Sequence, residues 1–320
     1  VQLYTGTGSS NAVAFNDTDT DMEPDMVWIK QRDDDVSNFI FDSVRGTTKW
    51  LKVDVDATET TDANSLTAFG SDGFTVGTGT SFNNEDSTYV AWCWKESSTA
   101  GFDIVTYTGD GSARTISHSL SAVPDLAIIR CRSDARSWVI TNSTLGWTGR
   151  AFLDTSAAWG ANSGEFNDTT PTSSVFTLGA DYRTNKDTET YVAYLWRNVQ
   201  GFFRTGTYKG TGSSANQGPF IYLGFKPAFL ITKPSSEADA WSLWDNKRPG
   251  YNNQPHQLFA HASSAESSGA ATKAISFTSN GFKIDGSDAN ELNKSGDTYI
   301  YMAWAESPLV NSNGVPNNAE

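Results

Sequence analysis

Short apolar runs recur along the whole chain, each bounded by Gly, Asn, Asp, Ser and Thr. The run Met26-Val27-Trp28-Ile29 is apolar at every position, so both alternating faces of a strand there are buried, as in the middle of a packed sandwich. Asn38-Phe39-Ile40-Phe41-Asp42 repeats the pattern after a short loop, and a turn at Ser43-Val44-Arg45-Gly46 follows. After a variable stretch comes Ser71-Asp72-Gly73-Phe74, where Asp-Gly predicts a two-residue hairpin turn with both centres at positive φ. The phrase Tyr89 to Trp94 sets Tyr89, Ala91 and Cys93 against Val90, Trp92 and Trp94, again apolar on both faces. No stretch sustains apolar spacing at i, i+3, i+4, i+7, so long helices are not expected. Six or seven antiparallel strands per hundred residues, joined by Gly-rich turns, predict a β-sandwich.

The same pattern is written three times. Tyr4-Thr5-Gly6-Thr7-Gly8-Ser9 returns at Tyr107 to Ser112 and at Tyr208 to Ser213. Pro24 to Lys30 returns at Pro124 to Arg130 and Pro227 to Lys233, and Thr88 to Trp94 returns at Thr190 to Trp196 and Thr298 to Trp304. Three signals in one order at near-constant spacing predict a tandem array. The expected units are residues 1–100, 101–200 and 201–320: three antiparallel β-sandwich repeats, jelly-roll or lectin-like, each large enough for its own core. The first begins in mid-phrase, the second diverges at Leu145-Gly146 and Ser174-Val175, and the third carries a tail. Trp94, Trp196 and Trp304 are equivalent, and each is expected to pack the core of its own repeat.

Composition sharpens this picture. Thr, Ser, Gly, Asn, Asp and aromatic residues dominate, which disfavours helix and suits strands with polar turns. A net charge of −14 with pI near 4.6 argues against nucleic acid or an anionic membrane as the main partner. The two cysteines, Cys93 and Cys131, lie in apolar phrases and read as buried free thiols. No twenty-residue apolar run and no leader peptide are found, so no membrane insertion is expected. The opening at Val1 suggests the C-terminal part of something longer, or a processed product.

The set Pro24 to Lys30, Phe41 to Gly46, Ser71-Asp72-Gly73-Phe74 and Thr88 to Trp92 resembles a repeated domain of unknown function. That domain is found in virion proteins of tailed, mostly marine, bacteriophages, often as tail fibres or appendages. The ending Tyr299 to Pro308, then Asn311 to Pro316, is similar to the usual C-terminus of such proteins. The resemblance implies a virion location and a structural role, and it supplies no catalytic residue.

Candidate chemistry is sparse. His118, His256 and His261 occupy different phrases, and no GxSxG, HExxH or GxxxxGK[ST] occurs. Paired carboxylates for glycoside hydrolysis are uninformative among 37 acidic residues. Asp17-Thr18-Asp19-Thr20-Asp21 starts like an EF-hand loop but has Met22 and Trp28 where Gly and Glu belong. Asp54, Asp56, Glu59 and Asp62 form a second acidic cluster, read as solvated. No catalytic residue, cofactor or metal site is therefore expected. Eleven tryptophans are many for 320 residues. Trp50, Trp138, Trp147, Trp159, Trp241 and Trp244 are peculiar to one copy or another, and they pack between repeats or chains or else stack on sugars. The variable loops Trp147 to Trp159 and Tyr251 to Phe259 combine rings with polar side chains, so Trp147, Trp159 and Tyr251 are the candidate residues for binding glycan or a neighbouring subunit. The expectation is a non-enzymatic phage structural protein of a tail fibre or appendage, used in host attachment. Its expected partners are itself, as a homotrimer, other virion proteins and a host surface glycan. A capsid decoration or head-fibre protein is the alternative, and a glycan depolymerase a weaker one.

Overall fold

In a computed structural model the chain is all-β, with antiparallel strands throughout and, among the described residues, helices no longer than four residues. The description covers residues 1–15, 21–214, 217–249, 251–267, 271–287 and 290–305. Asp17 to Thr20 and the ending from Glu306 onward lie outside it.

Each third of the chain builds one large sheet and one small one. In the first, the large sheet runs in the order Gln2–Thr5, Thr88–Trp94, Met26–Gln31, Phe39–Asp42, Lys49–Lys52, Thr60–Thr61. Phe102–Thr108, Thr190–Trp196, Leu126–Cys131, Val139–Asn142, Gly149–Phe152 and Gly160–Ala161 repeat that order, and Phe203–Lys209, Thr298–Ala305, Pro227–Pro234, Ser242–Asp245 and Leu258–Phe259 repeat its first five places. The small sheets are Asn11–Ala14, Gly73–Val76, Leu66–Gly70, then the pair Arg114–Ser117 and Val175–Leu178, then Phe220–Tyr222, Gly281–Ile284, Ile275–Thr278. In the second unit a short helix, Ser163–Phe166, lies in the stretch between the last strand of the large sheet and the small sheet.

Alternation along a strand sends successive side chains to opposite faces. Val27, Ile29, Phe39, Phe41, Tyr89 and Ala91 face the small sheet and form the sandwich core of the first unit with Val13, Phe74 and Val76. Met26, Trp28, Ile40, Val90, Trp92 and Trp94 point the other way. They join Leu126, Ile128, Val192, Tyr194 and Trp196, and Phe229, Ile231, Ile300, Met302 and Trp304, in one core common to all three units. Apolarity on both faces therefore has two causes: one face closes a sandwich, and the other packs three sandwiches together around a pseudo-threefold axis.

Trp94, Trp196 and Trp304 accordingly do not sit in three separate cores. Their rings touch, with centroids 6.3 Å apart for Trp94 and Trp196, 5.5 Å for Trp94 and Trp304, and 5.8 Å for Trp196 and Trp304. All three pairs meet edge to face, the arrangement the ring quadrupole favours. Burying 150–250 Å² of ring is worth roughly 4–6 kcal/mol per tryptophan at about 25 cal/mol/Å². Among the described residues the Nε1–H groups of Trp196 and Trp304 have no partner, at a cost of about 1–3 kcal/mol each. Burial outweighs that cost, so the triangle stabilises the assembly of the units.

The hairpin turn also differs from expectation. Gly70 pairs with Gly73 and Thr278 with Gly281, so the turn centres are Ser71-Asp72 and Ser279-Asn280. The glycine opens the next strand instead. A Cβ on Gly73 would lie 2.1 Å from the Val13 carbonyl oxygen, and one on Gly281 2.1 Å from that of Ile221. Close approach of the neighbouring strand demands glycine at both places.

Candidate functional site

Three seams join the units head to tail, and equivalent residues recur in each. The amides of Glu59, Trp159 and Glu266 donate to the carbonyls of Arg132, Ser235 and Arg32 at 2.8, 3.0 and 2.7 Å. The first unit thus grips the second, the second the third, and the third the first. A second recurring contact uses one position on each unit. The Trp138 indole donates to the Lys52 carbonyl and the Trp241 indole to that of Phe152, both at 2.8 Å. Asn38, at the matching place, donates to the carbonyls of Phe259 and Ala262 at 2.9 and 3.0 Å. A heterologous contact that returns to its start closes a ring. Trp138 and Trp241, expected to pack between repeats or chains or to stack on sugars, are buried between units of the chain.

Two seams carry the same buried charge cluster. At the first, Arg45 pairs with Asp42, both fully buried, and Arg45 Nη1 reaches Glu59 at 3.1 Å. Arg132 of the second unit clasps Glu59 with two bonds of 2.9 Å, and the Tyr194 hydroxyl donates to Asp42 at 2.6 Å. At the seam of the third unit with the first, Arg248 pairs with Asp245 at 2.6 Å and with Glu266 at 3.1 Å. Arg32 clasps Glu266 at 3.0 and 3.1 Å, and the Trp92 indole donates to Asp245 at 3.3 Å. Burial raises the Glu266 carboxyl, but Arg32, Arg248 and His256 outweigh it and hold it down to about 2. The Glu59 carboxyl is lowered in the same way, burial being overcome by Arg132 and Arg45. The acidic cluster around Glu59, read as solvated, therefore places its glutamate in an ion-pair network.

The seam between the second and third units lacks these charges. Asn142 and Leu145 stand where the others have Asp and Arg, and Asn142 Nδ2 donates to Thr205 Oγ1 at 3.2 Å. Trp159 and Ser235 replace the Glu and Arg of the clasp. Beside this seam lies a cleft of about 390 Å³ lined by residues that include Ser156, Asp239, Phe259, His261, Ser264 and Glu291.

The three sequence candidates fare differently. Trp147 is 4% exposed and packs edge-on against Phe166 in the sandwich core of the second unit, so it offers no ring face to a sugar. Trp159 is half-buried against the common core at the charge-free seam. Tyr251 is 64% exposed. The two loops proposed for recognition do approach one another, because Ser156 of one and Phe259 of the other line the same cleft, and the Asp239 amide donates to the Ser156 carbonyl at 2.9 Å. The residues that sequence reasoning missed as a site are the seam arginines and glutamates. The signal for half of them was present, an Arg three residues after the Asp that ends an apolar strand.

Fold and seams define an all-β protein of three β-sandwich units closed about one axis. The chain belongs to a family described as a domain of unknown function (DUF7483), which matches residues 1–308 and so runs across all three units. No curated protein and no solved structure matches the chain.

Proposed function

We propose that this chain is a non-enzymatic structural module of a tailed-bacteriophage appendage, acting in host attachment as a rigid knob. The observation that carries the reading is the closed ring. Three homologous units about one axis give a single chain the threefold form that fibre tips otherwise reach by assembling three chains. Buried charge clusters at two seams fix the register of the units, which suits a part that must hold loops in place under load. The resemblance of its phrases to those of phage appendage proteins suggests the setting. The apolar faces that a homotrimer would bury along its axis are already covered by the chain's own units, so threefold packing requires no second copy. Other virion proteins and a host surface glycan are its proposed partners, and the virion its proposed location.

The test is to label intact particles of the phage that encodes the chain with antibodies raised against it, and to image them by electron microscopy. Label at the tail or its appendages is expected. Label over the head would replace this reading with capsid decoration, and unlabelled particles would overturn both.

A further inference from the structure

Comparison of the three units with one another singles out one position. The amide of Asn38 donates to Asp54 Oδ1 and that of Trp138 to Asp154 Oδ1, both at 3.0 Å. In the third unit the Trp241 amide donates instead to Nδ1 of His261, at 3.3 Å. A neutral imidazole accepting at Nδ1 carries its proton on Nε2, so the third unit alone presents a donor where the others present a carboxylate. Burial, and next the charge of Lys233, lower the His261 pKa and keep the ring in that neutral form. Nε2 has no partner among the described residues, and His261 lines the cleft.

The residue two places earlier adds an apolar wall. Phe259 is half-buried and meets His261 edge-on, with centroids 5.8 Å apart and an interplanar angle of 82°. Its counterpart in the second unit, Phe152, is covered by the guanidinium groups of Arg150 and Arg183 at 4.8 and 5.2 Å. No such cation lies over Phe259 among the described residues. The lining also includes Asp239, whose Oδ1 accepts from the Ala240 amide at 2.7 Å, the serines Ser156 and Ser264, and Glu291, whose carboxylate is held by Lys273 and by Gln257 at 2.8 Å.

We propose that this cleft binds a neutral pyranose residue of a glycan. A sugar ring carries hydroxyls that both donate and accept along its rim and an apolar face of C–H groups, which matches carboxylate and hydroxyl acceptors, one imidazole donor and one half-buried aromatic ring free of a covering cation. The carboxylates of Asp239 and Glu291 are balanced by Lys273, which pairs with Glu291, and by Lys233 beside His261, so the cleft carries no net charge that would favour an ion over a neutral ligand. A volume of about 390 Å³ falls at the small end of ligand sites and suits one or two sugar rings. The choice of a surface glycan rests on the attachment reading, but the chemistry of the cleft stands without it.

The experiment is saturation-transfer NMR on the purified chain with the methyl glycosides of glucose, galactose, mannose and N-acetylglucosamine, and that of N-acetylneuraminic acid as the charged comparator. Transfer to at least one neutral glycoside is expected, with little or none to the charged one. His261→Asp installs the residue the other two units use, so it should fold with an undiminished melting temperature yet weaken binding at least tenfold. Phe259→Ala should weaken it comparably. Transfer to no neutral glycoside, transfer to the charged one alone, or binding unchanged in His261→Asp would overturn the proposal. Particle labelling is read independently, so loss of the sugar site would leave the attachment reading to its own test.

Discussion

Replacing Trp196 by Ala strikes the centre of the assembly. Trp196 is 2% exposed, stacks on Phe102 at 4.6 Å, and lies 5.8–6.4 Å from the rings of Trp94, Phe203 and Trp304. A buried Trp→Ala change costs about 3–5 kcal/mol. Loss of the unpaired Nε1–H relieves part of that, which places the expected value near 3–4 kcal/mol. With an unfolding entropy of about 2.1 cal/mol/K per residue, a chain of 320 residues has roughly 0.7 kcal/mol/K, so the melting temperature should fall by roughly 4–6 °C. The assay is thermal and urea unfolding followed by far-ultraviolet circular dichroism and by tryptophan fluorescence. Because the ring is shared by all three units, both probes should move together as one transition. A curve in which about a third of the dichroism change shifts while the rest keeps the wild-type midpoint would refute the shared core.

Glu266 gives a pH signature. Its folded pKa, held at about 2 against an ordinary value of 4.5, means that its contribution is complete above pH 4.5 and is lost as pH falls toward 2. That fall is worth about 3 kcal/mol for a side chain only 8% exposed, so the stability gap between wild type and Glu266→Gln should close across this window, whereas parallel acid curves would contradict the ion-pair assignment. Cys131 is fully buried, whereas Cys93, expected to be buried, is half-buried with its thiol pushed up to about 12 by desolvation, so a thiol reagent at pH 8 should label Cys93 slowly and Cys131 only once denaturant is added, and rapid native labelling of Cys131 would show the sheets to be open. Sedimentation equilibrium at micromolar concentration should return the single-chain mass of 34.7 kDa, and a species three times heavier would show a homotrimer instead.

Much of the fold was legible because strand periodicity and turn chemistry are local. The phrases at Met26, Phe39 and Thr88 all became strands, with their counterparts in the other two units. What covers the second apolar face was not legible, since a run such as Val90-Ala91-Trp92 records that both sides are dry and says nothing of the neighbour. The seams were half legible. Arg45 and Arg248 sit at matching places, but their glutamates follow after 14 and 18 residues, inside loops of unequal length, so no fixed spacing betrays them. The surroundings of Trp147 and Trp159 were not legible for a related reason: residue type gives the chemistry of a ring and not its exposure, which packing against Phe166 for the one and against the common core for the other decides.

The central claim is that the units close into a ring, and small-angle X-ray scattering tests it most directly. A compact chain of 320 residues should have a radius of gyration of about 20 Å. Three globules of about 13 Å each, strung end to end, would give roughly 30 Å. A value near 20 Å is expected for the ring, and one near 30 Å, with the long tail of an extended particle, would contradict it.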